Sequence, residues 1–116
     1  MVETMKSAIQ EIELNIREAK KLVEAGAALE RLRNNTDFKK VVMEGYFEQE
    51  AIRLVHLKAD KNMQTPESQA SIVAQIDAIG ALHEYFRVVM FRASMAEKAI
   101  EADEQTRDEL LAEGVE

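Results

Sequence analysis

The sequence predicts an all-α protein of three helices: a helical hairpin with a long third helix and coiled-coil-like seams. Three observations carry that reading. Apolar residues recur at alternating spacings of four and three over long stretches, the period of one helix face. Only one proline and four glycines interrupt 116 residues. β-branched residues occur only in short runs, so no segment reads as a strand.

The first helix is expected from about Glu3 to Arg33. Met5, Ile9, Ile12, Ile16, Ala19 and Val23 form its seam, and Leu14, Leu22 and Leu29 widen the apolar stripe towards a second neighbour. Gly26 takes the next seam position, where a small residue permits close approach or a slight bend. Asn34-Asn35-Thr36-Asp37 then ends one helix and caps the next, because these side chains compete for backbone hydrogen bonds. The second helix carries Phe38, Val41, Val42, Met43, Tyr46, Phe47, Ala51, Ile52, Leu54, Val55 and Leu57 around more than half its circumference, so it should be the most buried element. Gly45 inside it suggests a close helix–helix contact. Residues 60–64 connect to Thr65-Pro66-Glu67, a strong helix start with a capping hydroxyl, proline at the first helical position and an acid in the first turn. Ile72, Ile76, Ile79, His83, Phe86, Met90 and Ala93 continue the four-three alternation from there, and Ile100 and Leu111 extend it with polar interruptions. Unbroken to Glu113, this third helix has about 48 residues and a length of roughly 72 Å. That exceeds the diameter of a 13.1 kDa globule. Either the chain is elongated, or the helix bends near Gly80 or frays after Ile100.

The charge is uneven. The formal net charge is −7, yet residues 1–36 and 37–65 are each balanced. The whole excess falls in residues 66–116, most of it from Glu97 onward. The expected division is therefore a helical body over 1–96 and an acidic helical arm over 97–116. Glu101, Asp103, Glu104, Asp108 and Glu109 are the candidate residues of that arm for a basic partner. The simpler reading is a solvated helix end, weakened because acids at a helix C-terminus oppose the macrodipole.

Residue chemistry excludes a good deal. Without cysteine there is no thiol catalysis, thiolate zinc site or disulfide. His83-Glu84 is followed by Arg87 where a zinc protease needs its second histidine. Arg53 and Gly80 stand three residues before the two histidines, where a carboxylate-bridged di-iron site needs glutamate. His56 and His83 are thus expected in the core or an interface. Asp60-Lys61-Asn62 resembles the start of a calcium loop but lacks its glycine, and Ser71 replaces its closing acid. No phosphate loop or nucleophile elbow occurs. The expectation is a non-enzyme with no catalytic residues, metal or cofactor. No apolar run of signal-peptide or membrane-spanning length appears, which predicts a soluble intracellular protein without membrane contact. Direct nucleic-acid binding is disfavoured: Arg31, Arg33, Lys39 and Lys40 form a modest cluster diluted by Glu30, Asp37 and Glu44.

The apolar surplus is more telling. Val88-Val89-Met90-Phe91 covers every side of the third helix at one level, more than a three-helix chain of this size easily buries. A crowded core is the plain reading. A contact with another chain is the functional one, with Phe86, Val89, Met90 and Phe91, and Ile9, Ile12 and Ile16 on the first seam, as its candidate residues.

The run LERLRNNTDFKK from Leu29 to Lys40, with Glu44-Gly-Tyr-Phe, Glu50-Ala-Ile-Arg-Leu-Val, Leu57-Lys-Ala-Asp, Asn62-Met-Gln and Gln75-Ile-Asp-Ala-Ile-Gly, resembles small helical proteins encoded by tailed bacteriophages. The resemblance covers roughly residues 28–86. It implies an origin and a setting, virion structure or assembly, and carries no catalytic motif. Its expected location is the bacterial host cytoplasm during assembly, or the virion. Expected partners are other virion proteins or copies of the chain itself in a homo-oligomer. Two alternatives stay open: a small acidic regulator that occupies a basic site on a host or phage enzyme, and a DNA-packaging adaptor.

Overall fold

The computed structural model describes residues 2–114, which are helical apart from short connectors and contain no strand. Helix α1 is Val2–Arg33. It stops at Asn35, whose extended backbone breaks the helical path and whose Oδ1 accepts a 3.0 Å hydrogen bond from the Phe38 N–H. That cap starts α2, a composite of an α-turn at Thr36–Phe38, a stretch at Lys39–Glu50 in the wider i→i+5 pattern, and a regular α segment at Ala51–Ala59. Twelve residues of π-helix are unusual, since that geometry generally occurs as single turns.

Helix α2 ends at Asp60, which is again extended and caps a 3₁₀ turn at Lys61–Met63 through Oδ1 and the Asn62 N–H, 2.7 Å apart. Two glutamines take up carbonyls that the helix end leaves open. Gln64 Nε2 donates to the Lys58 and Asp60 carbonyls at 2.9 and 2.7 Å, and Gln69 Nε2 to those of Lys58 and Met63 at 3.0 and 2.7 Å. Helix α3 then runs without a break over Pro66–Gly114, 49 residues. Thr65 Oγ1 accepts from the Ser68 N–H at 3.1 Å, so the start signal works as its chemistry demands. The helix passes through Gly80 and Ile100 without interruption.

The chain forms two compact units, residues 1–28 with 89–116 and residues 29–88. The first unit is a two-helix hairpin, α1 antiparallel to the second half of α3. Ile16, Ala93 and Ala96 form its buried seam, with Ile16 only 3% exposed. The small residue on the α1 seam sets the approach: a Cβ built on Gly26 would lie 2.4 Å from the Ala93 Cβ. Residues 97–114 continue α3 in this hairpin. Met1 and the last two residues of the expected acidic arm lie outside the described residues.

The second unit packs α2 on the first half of α3. Leu54, Ile72 and Ile79 are its buried centre, surrounded by half-buried Tyr46, Phe47, Ala51, Leu57, Met63 and Ile76. Two expectations need correction here. Leu54 is the only fully buried residue of 36–59, so α2 is not the most buried element; neighbours cover one face, and its surplus apolar residues Val41, Ile52 and Val55 turn outward. Gly45 makes no helix–helix contact either. The atom nearest to a Cβ there is the carbonyl oxygen of Lys40 in its own helix, at 3.0 Å.

Candidate functional site

Aromatic packing organises the second unit. Phe47 is central, with ring centroids 5.6 Å from Phe86 and 5.3 Å from His83, both edge-on, and 5.9 Å from Tyr46. Phe38 closes on Phe86 at 6.0 Å. Such pairs add modestly to area burial, so Phe86 is a packing residue of this unit as much as a surface one. His83 and His56 are exposed rather than in the core, and His83 rests on the edge of Phe47.

Beside this cluster a cleft of about 650 Å³ opens between the π-helical stretch and α3. Val41, Val42, Leu54, Ala78 and Ile79 give it an apolar floor, and Gly45 leaves room for it. Its polar groups are Tyr46, Glu50 and Gln75. Two of them are engaged. Arg53 donates from Nε to Glu50 Oε1 at 2.9 Å and also from Nη2, which holds the Glu50 carboxyl below the ordinary carboxylate range. Gln75 donates back to the Ser71 carbonyl at 3.2 Å. Most of the cleft's lining is apolar.

The basic cluster at the first helix junction takes a mixed form. Arg33 and Lys39 share a groove of about 410 Å³ with Glu30, Asn34, Met43 and Glu44, so acids stand among the bases as the sequence suggests.

The first unit has a second groove, of about 420 Å³, at the end where α1 begins and α3 finishes. Met5, Lys6, Ile9 and Gln10 face Leu110, Leu111 and Gly114 across it. Its cause lies in side-chain size along the seam. Gly26 and Ala93 draw the two backbones together, whereas at Gly114 the nearest group is the tip of the long Met5 side chain, 3.6 Å from a Cβ built there.

The structure distributes the sequence-derived interface residues rather than gathering them. Ile9 lines the groove just described, Ile12 is half-buried and Ile16 belongs to the hairpin seam. Val89 and Met90 are half-buried, while Phe91 points outward with 59% of its surface exposed. Of the five candidate acids, Glu101, Asp108 and Glu109 are exposed and Asp103 and Glu104 half-buried. Sequence reasoning missed the outward pair Ile52 and Val55, and it missed Leu110, which joins the seam residue Leu111 opposite Met5. The apolar excess on α2 was the available signal for the first. The leucine doublet inside an acidic segment was the signal for the second.

Among the described residues no helix is long and apolar enough to cross a membrane, and no three His, Asp or Glu side chains converge as a metal ion would require. Compared with protein-family models, curated proteins and solved structures, the chain gives no match.

Proposed function

We propose that this chain is a non-enzymatic protein that works by helix-mediated contacts with other protein surfaces. In the setting that the resemblance over residues 28–86 implies, it serves bacteriophage virion structure or assembly, bound to another virion protein or to copies of itself. The observation that carries the reading is the grouping of exposed apolar side chains. Ile52 and Val55 lie three apart on α2, and Phe91 and Met95 four apart on α3, each pair on one helix face and each residue about half exposed or more. Single exposed apolar residues are ordinary, but grouped ones mark contact surfaces.

Light scattering on the full chain at two concentrations tests this. The expected result is a defined oligomer that one of two double variants, I52D/V55D or F91D/M95D, returns to monomer while helix content by circular dichroism stays unchanged. These positions serve better than Phe86, whose ring packs on Phe38 and Phe47. A chain that stays monomeric at every concentration rejects the self-assembling form of the proposal.

A further inference from the structure

We propose that the cleft between the π-helical stretch and α3 is a binding site for a small molecule with an apolar body and a protonated amine. The site lies apart from the exposed pairs of the protein-contact reading, since none of Ile52, Val55, Phe91 and Met95 lines it.

The backbone gives the first reason. Val41, Val42, Gly45, Tyr46 and Glu50 line the cleft, and all five belong to the π-helical stretch Lys39–Glu50. Turns of this geometry are rare and occur frequently at functional sites. At about 650 Å³ the cleft falls within the size range of small-molecule pockets, which are mostly apolar with a few polar groups that set orientation.

The polar groups select the ligand. Glu50 is the only charged side chain on the lining. Both contacts from Arg53, through Nε and Nη2, go to its Oε1, so Oε2 keeps its capacity to accept. Gln75 spends its Nε2 on the Ser71 carbonyl at 3.2 Å and the Ser71 hydroxyl at 3.3 Å, which leaves its Oε1 as a further acceptor. A carboxylate and an amide oxygen beside an apolar wall match the N–H donors of a cation. An anion would meet the Glu50 charge and find only the Tyr46 hydroxyl as an uncommitted donor on the lining.

The chain has no tryptophan, so an indole ligand reports its own binding through fluorescence without an indole background from the protein. Three indoles of similar size serve as probes for the full chain: tryptamine as the cation, tryptophol as its neutral counterpart and indole-3-acetate as the anion. Tryptamine should bind best, with tryptophol about tenfold weaker, the worth of one hydrogen bond to a charged group, and indole-3-acetate weaker still. Glu50→Gln should remove the advantage of tryptamine over tryptophol and leave tryptophol bound. Ala78→Phe, at an exposed position on the cleft wall, should block all three. Helix content by circular dichroism should stay unchanged in both variants, and the comparison of the three probes on the unaltered chain needs neither. The proposal is overturned if tryptamine does not bind at millimolar concentration, if indole-3-acetate binds as tightly as tryptamine, or if either folded variant binds tryptamine as the unaltered chain does. Oligomeric state is a separate readout, so this site and the protein-contact reading can each fail without the other.

Discussion

At the scale of single residues, packing gives the sharpest expectations. Gly26 has no room for a methyl group, because its Cβ would sit 2.4 Å from that of Ala93. Gly26→Ala should therefore destabilise the chain by about 1–3 kcal/mol in urea unfolding, the usual cost of overpacking. A93G in the same chain should restore much of that loss. Leu54 is 1% exposed at the centre of the second unit, so Leu54→Ala should cost about 2–5 kcal/mol through lost burial and the cavity left behind. Glu50 and Glu84 illustrate a weaker force. Hydrogen bonds from Arg53 and Arg87 lower both carboxyl pKa values. The stabilisation they bring is present above the unfolded-state pKa and is lost as pH falls through the lowered folded values. Both pairs are solvated, so the effect on stability is small. Carboxyl titration by NMR should show Glu50 protonating below the ordinary range, and R53Q should move it upward.

At the scale of elements, the punctuation was legible because its chemistry is local. Asn35 and Thr65 cap the helices that follow them within a few residues of chain. Asn35→Ala should cost about 1 kcal/mol in urea unfolding. The π-helical stretch was not legible. Over Lys39–Glu50 the apolar residues come in blocks, Val41-Val42-Met43 and Tyr46-Phe47, and none is fully buried, so their spacing does not single out one helix period. The unbroken course of α3 was likewise undecided by composition: Gly80 permits a bend, but a Cβ built there would meet no neighbouring element within 4 Å.

At the scale of the whole molecule, charge is the main lever. The net charge of −7 is concentrated near the end of α3, where few bases offset the acids along the helix. Screening their mutual repulsion outweighs screening a few exposed i,i+3 ion pairs. Thermal melts followed by circular dichroism should therefore rise in midpoint as sodium chloride is added. A falling midpoint would mean that the ion pairs, and not the repulsion, dominate.

The helical class, the approximate bounds of α1 and α3 and the cap at Thr65 were determined by the sequence alone. They depend on periodicity and on side-chain-to-backbone bonds within one turn, both of which are written along the chain. The acidic end was equally visible, since net charge needs no fold. Tertiary structure decided which surplus apolar residues remain outside. Ile16 and Phe91 are both candidate contact residues in the sequence, yet one is buried in the hairpin and the other is exposed. Burial depends on which face meets a neighbour, and on the size of the residues there. That is why Gly26 closes the hairpin at one end, while Met5 and Leu111 leave it open at the other.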